Sequence, residues 1–354
     1  KNSGSKNVSA NFYSTQDGYF LDPYYVDKAT LILRIGASPI TVVYGTAENT
    51  ISSNYNYNYI SGLQEGDTLD TALVDANGNQ VNPTFLNQAY KNSTAINKGG
   101  AATGTVTKDV GKYNIILESG ILKDYKIVTE NASTTITPAS LTLTANDVNM
   151  KYGTKEADLI TATPYGSSSS GLTNGDSLAD VLSNVTYTNG GYTNSTGSGT
   201  YDGTLTKNAG TANLKQNITG YTNGTKAGNY TITTNSGAVT ITKATATLTP
   251  TSISKQYGDA AGVNTALAAE QPAVSGLVNG DTATGATGTA AYTTTALKDS
   301  THTNNVGSYD INIDVSGLSS TNYTFVGNTL TNGATITPAS LTLTANDVNM
   351  KYGT

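Results

Sequence analysis

In several stretches of the chain apolar and polar residues alternate, the two-residue period of strands with one buried face. Leu141, Leu143 and Ala145 form one such set and Val148, Met150 and Tyr152 a second, with the parity changing at Asn146-Asp147. A two-residue turn there predicts an antiparallel hairpin with both sets on one side of one sheet. Asn and Asp tolerate the backbone angles such a turn needs. Helical periodicity is nearly absent. The exception is the run from Asp176 to Leu182, where Leu178, Val181 and Leu182 share a face and Asp176 can cap the first turn. The pattern predicts mostly β modules with at most one short helix each.

The alternation is itself repeated. Residues 135–154 and 335–354 are the same twenty letters, TITPASLTLTANDVNMKYGT, displaced by 200 positions. A looser repeat of about half that period is marked by Tyr-Gly pairs at Tyr44, Tyr152, Tyr257 and Tyr352. G-L-x-x-G-D follows at Gly62 to Asp67, Gly171 to Asp176 and Gly276 to Asp281. Then come G-x-Y, read at Gly111 to Tyr113, Gly199 to Tyr201 and Gly307 to Tyr309, and a closing strand at Asp124-Tyr125, Asn229-Tyr230 and Asn322-Tyr323. Four markers in fixed order divide the chain into repeats at 28–138, 139–243 and 244–338. Residues 1–27 read as the tail of a preceding repeat and 339–354 as the first strands of a fourth. Only Thr337 to Ser340 separate the last strand of the third repeat from the next, and Pro138 and Pro338 restrict bending at the joints. An end-to-end, semi-rigid rod is expected.

Composition narrows the function. Charged residues are 12% of the 354, about half the usual share, and the formal net charge is −6 with a single arginine, Arg34. No basic patch exists for phosphates, so nucleic acid is a poor partner, and no apolar run is long enough to span a bilayer in this segment. Cysteine is absent, which removes disulfides, thiolate metal sites and cysteine nucleophiles together. The lone histidine, His302, sits in a polar stretch without a recurring triad or carboxylate pair, so no catalytic residue and no enzyme activity is expected.

The motifs T-I-T-P-A-x-L-T-L-T-A, K-Y-G, G-L-x-N-G-D, G-x-Y and N-Y-T together resemble the MBG repeat of the YGX type. The likeness covers nearly the whole chain and is tightest in the second and third repeats; in the first, Tyr113 lies 46 residues after Asp67, against 25 and 28 for the counterparts. It implies tandem, compact β-sandwich or β-grasp-like modules in large bacterial surface proteins, including filamentous-haemagglutinin-like adhesins, at the extracellular cell surface. Tyr201-Asp202-Gly203 is similar to a YDG repeat, but its position matches the G-x-Y marker.

Candidate contacts are few. Tyr55, Tyr57 and Tyr59 alternate with asparagine, so the three rings would line one strand face, able to stack on sugars or on another copy. Asp67, Asp176 and Asp281 are expected as turn and helix-cap residues. No cofactor is expected; Asp75-x-Asn77-x-Asn79 starts like an EF-hand loop but has Leu86 where a bidentate glutamate is needed, and calcium at a joint would use acids such as Asp147 with Glu156. Insertions at 75–105 and 214–228 are candidate recognition loops. The expected role is a stalk or fibre-forming region whose partners are neighbouring repeats or other copies of itself, with a glycan- or host-protein-binding module as the alternative.

Overall fold

The structure, a computed structural model, describes residues 31–195, 201–210, 213–283 and 286–353; the expected tail at 1–27 lies outside the described residues. In the first repeat, β1 (Leu31–Ala37), β2 (Ile40–Val43), β3 (Tyr57–Ser61), β4 (Thr84–Asn87), β5 (Ile96–Asn97), β6 (Gly111–Glu118), β7 (Tyr125–Glu130) and β8 (Ala132–Thr137) make two sheets. One is β3-β1-β7, with β1 antiparallel to β3 and parallel to β7. The other is β2-β8-β6-β4-β5, with β2 parallel to β8.

The plan recurs. In the second repeat β9 (Ala139–Ala145) lies between β11 (Ser167–Ser170) and β14 (Tyr230–Asn235). Its second sheet runs β10-β15-β13-β12, from β10 (Val148–Lys151), β12 (Leu182–Asn189), β13 (Lys215–Asn223) and β15 (Gly237–Thr242). In the third, β16 (Ala244–Thr249) lies between β18 (Ala273–Ser275) and β21 (Tyr323–Gly327). There β17 (Ile253–Gln256), β22 (Leu330–Thr337), β20 (Gly307–Asp314) and β19 (Ala291–Thr294) form the order β17-β22-β20-β19. The protein is thus mostly β, a tandem of β modules.

Three details differ from the sequence reading. First, β9 and β10 are not a hairpin; they belong to different sheets, and the Asn146-Asp147 corner carries the chain from one to the other. The corner is held by Asn146 N–H on the Gly166 carbonyl at 2.9 Å and by Ala238 N–H on Asp147 Oδ1 at 2.7 Å. A parity change fits a sheet-to-sheet crossing as well as a turn, because both apolar sets stay buried.

Second, the expected helix appears as α1 (Leu69–Ala72) in the first repeat and α3 (Leu178–Val181) in the second, but its caps are Thr68 and Ser177, one residue after the aspartates. A helical segment not expected from the sequence follows the Tyr-Gly pair in each repeat: a 3-10 turn at Glu48–Asn54, α2 (Glu156–Ala162) and α4 (Ala260–Ala268). Short helices that bury one to three apolar side chains leave little legible period.

Third, the expected marker glycine Gly199 lies outside the described residues, and the glycine of the second repeat that pairs as Gly111 and Gly307 do is Gly210. Gly210 bridges Ile241 of β15 as Gly111 pairs with Ile136 and Gly307 with Ile336. Tyr201-Asp202-Gly203 belongs earlier, with Gly203 standing where Gly104 stands in the first repeat: each amide binds a buried glutamate at 2.9 Å.

The chain forms two compact units. One holds residues to 143 with 168–185 and 221–234; the other holds 144–167, 186–220 and 235 onward. In the first unit, Leu33, Ile35, Phe85, Ile115, Leu117 and Ile136 are fully buried. In the second, Val148, Met150, Tyr152, Val239 and Ile241 of the second repeat share one core with Ala244, Ala246 and Tyr323 of the third. Only Lys243 separates β15 from β16, so no slack is available at that joint.

Candidate functional site: a tyrosine-aspartate joint

The tyrosine of each Tyr-Gly pair follows the parallel edge strand and is fixed by its own backbone. Tyr44, Tyr152 and Tyr257 donate their amides to the carbonyls of Thr137, Thr242 and Thr337, each at 2.8 Å. The glycine amide then bonds a threonine hydroxyl: Gly45 to Thr107 at 2.9 Å, Gly153 to Thr206 at 2.9 Å and Gly258 to Thr303 at 2.8 Å. The same platform is built three times.

In the first unit the platform is occupied. Tyr44 donates its hydroxyl to Asp176 Oδ2 at 2.9 Å, and Tyr230, opening β14, donates to the same oxygen at 3.0 Å. The two rings meet edge to face, 5.5 Å apart. In the second unit Tyr152 and Tyr323 both donate to Asp281 Oδ2 at 2.9 Å, with the rings 5.6 Å apart. Asp67 receives only Tyr125 among the described residues. The aspartates of G-L-x-x-G-D therefore close a turn through the backbone and accept tyrosine hydroxyls through the side chain; at Asp176 and Asp281 the two hydroxyls come from adjoining repeats.

An asparagine completes each joint. Asn174 accepts the Thr107 amide at 3.0 Å and donates to the Thr107 carbonyl at 3.0 Å; Asn279 does the same to Thr206 at 3.2 and 3.0 Å. Both asparagines are left-handed, with φ of 60° and 58°, which suits Asn better than most side chains. Asn229 accepts the Val110 amide at 2.8 Å and Asn322 the Ala209 amide at 2.9 Å. The first joint adds an ion pair, Lys226 Nζ to Asp109 Oδ1 at 2.9 Å, where the second has the neutral Asn322-Asn208 bond at 3.0 Å. The Gly45 and Gly153 Cα atoms face side chains of the adjoining repeat: a Cβ there would lie 2.1 Å from Thr173 and 2.2 Å from Val278.

The electrostatics follow from this packing. Burial, then the bond to a carboxylate, raises the Tyr44 and Tyr152 phenols and pushes Tyr230 and Tyr323 up to about 12. Lys226 and Asn229 beside Asp109 hold its carboxyl below the usual range.

The other singled-out residues are placed elsewhere. Tyr55, Tyr57 and Tyr59 do not form one exposed row. Tyr55 precedes β3, is 2% exposed and donates to Glu48. Tyr57 is half-buried and stacks on Phe85, with Lys98 over its ring. Tyr59 is exposed at the edge of β3 and covers Gly36. A network missed in the sequence surrounds Tyr55: Glu48 accepts Tyr55, Ser93 and the Gly104 amide, while Asn87 donates to Tyr55. The second repeat reproduces it with Glu156, Tyr165, the Gly203 amide and Asn189. In the third repeat Ala260 and Thr294 occupy the glutamate and asparagine positions, so the carboxylate and its donors are lost together. The detectable signal was the string G-T-x-T-K, shared at Gly104 and Gly203.

Both Glu156 oxygens are bonded within the protein, and Asp147 holds Ala238. Asp75 closes its own loop onto the Asn77 and Asn79 amides. His302 pairs with Asp299 on the surface. Among the described residues no three His, Cys, Asp or Glu side chains cluster as metal ligands would. The third repeat contains an open cleft of about 860 Å³, lined by Leu248, Leu267, Val274, Leu277 and Phe325, with Glu270 engaged by Thr251.

No curated protein matches the chain significantly. Among solved structures it is similar to Drosophila N-cadherin EC1-4, at 10% identity and a TM-score of 0.30, covering 87% of this chain and 75% of that one. It is also similar to the I9-I11 tandem from titin, at 9% identity and a TM-score of 0.24, covering 87% of this chain and 100% of that one. The family model of the MBG domain (YGX type) matches residues 246–334, a span that takes in Tyr257, the Gly276 to Asp281 turn and Tyr323. Residues 246–334 of the third repeat therefore match the MBG domain of the YGX type.

Proposed function

We propose that this chain is the structural stalk, or fibre-forming repeat region, of an extracellular bacterial adhesin. The observation that carries the reading is the joint. Each of the two occupied copies ties adjoining repeats by a shared aspartate, a left-handed asparagine and a glycine with no room for a side chain, and the connection between β15 and β16 is one residue long. Repeats held this way pass load to one another through part-buried hydrogen bonds and, between the second and third, a shared core, not through a linker. The MBG match supports an extracellular, non-catalytic role. No helix among the described residues is long and apolar enough to cross a membrane. The glycan-binding alternative has less support, because Tyr55 is buried on Glu48 and leaves no continuous aromatic row. Small-angle scattering of the whole chain tests the proposal: a profile fitted by one arrangement supports it, and one that demands an ensemble of joint angles contradicts it.

A further inference from the structure

We propose that the Tyr257 end of the third repeat is an open joint, built to receive the Asn-Gly-Asp turn and Asn-Tyr strand of a further repeat of this type. The inference stands on the two occupied joints and does not need the stalk reading. The receiving surface is already formed: Tyr257 N–H on Thr337 at 2.8 Å and Gly258 N–H on Thr303 at 2.8 Å reproduce the first two platforms. Its outer face is bare. Tyr257 is 50% exposed, against 2% for Tyr44 and 6% for Tyr152, and Val306, at the position of Val110 and Ala209, is 53% exposed. A Cβ on Gly258 would meet nothing within 4 Å, whereas Gly45 and Gly153 are covered. The Thr303 amide and carbonyl, which in the other copies face an asparagine, have no hydrogen bond among the described residues.

The chemistry selects the occupant. The site needs a carboxylate for the Tyr257 hydroxyl and one side chain that both accepts from the Thr303 amide and donates to its carbonyl, which asparagine does and a carboxylate does not. The first repeat carries Glu65 at the asparagine position and Asp124 where the others have Asn229 and Asn322, so its face is the wrong match and separate chains do not join head to tail through it.

The test uses the full chain and an extended one. Because residues 335–354 repeat 135–154, appending a copy of residues 155–243 after Thr354 completes a repeat in register. Tyrosine nitration by tetranitromethane, read by peptide mass spectrometry, should modify Tyr257 readily in the 354-residue chain and at least about tenfold more slowly in the extended one. Asn174→Ala with Asp176→Ala in the appended copy alone should restore the fast rate while the appended β strands keep their amide protection. Tyr257 reacting equally fast in both chains, an appended copy that gains no amide protection, or protection that survives the double substitution would each overturn the proposal. So would head-to-tail association of the 354-residue chain in sedimentation that Asp67→Ala abolishes.

Discussion

Replacing Asp281 by alanine removes the one oxygen on which two repeats converge. Tyr152 and Tyr323 each donate to Asp281 Oδ2 at 2.9 Å, and both tyrosines are buried. A hydrogen bond to a charged acceptor contributes about 1.5–3 kcal/mol, the lower figure applying where water can replace the partner. Asp281 is itself exposed, and Tyr323 retains the Val278 carbonyl at 3.2 Å, so the lower figure fits both hydroxyls. The expected loss for Asp281→Ala is about 2–3 kcal/mol. Asp67→Ala, which removes one described hydroxyl partner, should cost about half as much. Urea denaturation followed by tyrosine fluorescence measures both, as a midpoint shift at constant slope. Tyr152→Phe combined with Asp281→Ala isolates the pair across the joint, with a coupling of about 1 kcal/mol or more expected. A loss under about 0.5 kcal/mol for Asp281→Ala, or strict additivity in the cycle, would refute the reasoning.

Further outcomes are expected from the same geometry. Gly153→Ala should destabilise by more than about 2 kcal/mol, since it adds a clash with Val278 to a φ of +80°, whereas Gly258→Ala, at φ +90° with open space, should cost only the backbone strain of about 1 kcal/mol; thermal melts of the two variants give the comparison. Glu156→Ala leaves the Tyr165 hydroxyl and Gly203 amide without their acceptor and should cost about 3 kcal/mol by the same measure. Tyr230 and Tyr323 have folded-state values near 12, above the ordinary tyrosine value of 10.0, so their contribution is complete below pH 10 and is lost as pH rises towards 12; stability measured across that window should fall, and less steeply in Tyr323→Phe. Asp109, held low by Lys226, acts with the opposite sign: its contribution is present above the ordinary carboxylate value of 3.8 and fades as pH falls below it, and the second joint, with Asn208 there, should lack that acid response.

The β character and the glycine turns were legible because alternation and turn residues are local. Leu141 to Tyr152 announced two buried faces, yet not that β9 and β10 sit in separate sheets, because a corner and a hairpin produce the same parity change. The aspartate of G-L-x-x-G-D was legible as a turn residue and not as an acceptor for tyrosines, since Tyr44 lies 132 residues from Asp176 and Tyr152 lies 129 from Asp281. Gly210 was hidden because its neighbours lack the tyrosine seen after Gly111 and Gly307; the joint needs Thr206 and Gly210, and a tyrosine at Tyr113 or Tyr309 is an addition to that frame. Tyr55 read as a strand residue because its spacing continues that of Tyr57 and Tyr59, whereas the buried Glu48 draws it out of the row.

Native-state hydrogen exchange on the second unit tests the interlocked joint most directly. Amides of β10 and β15 belong to the second repeat and those of β16 and β21 to the third, yet their side chains share one core and one aspartate. The joint account predicts that these four strands open together, with a common free energy that falls by the same amount in Asp281→Ala. Independent opening of β16 and β21 from β10 and β15, with only one pair responding to the substitution, would contradict it.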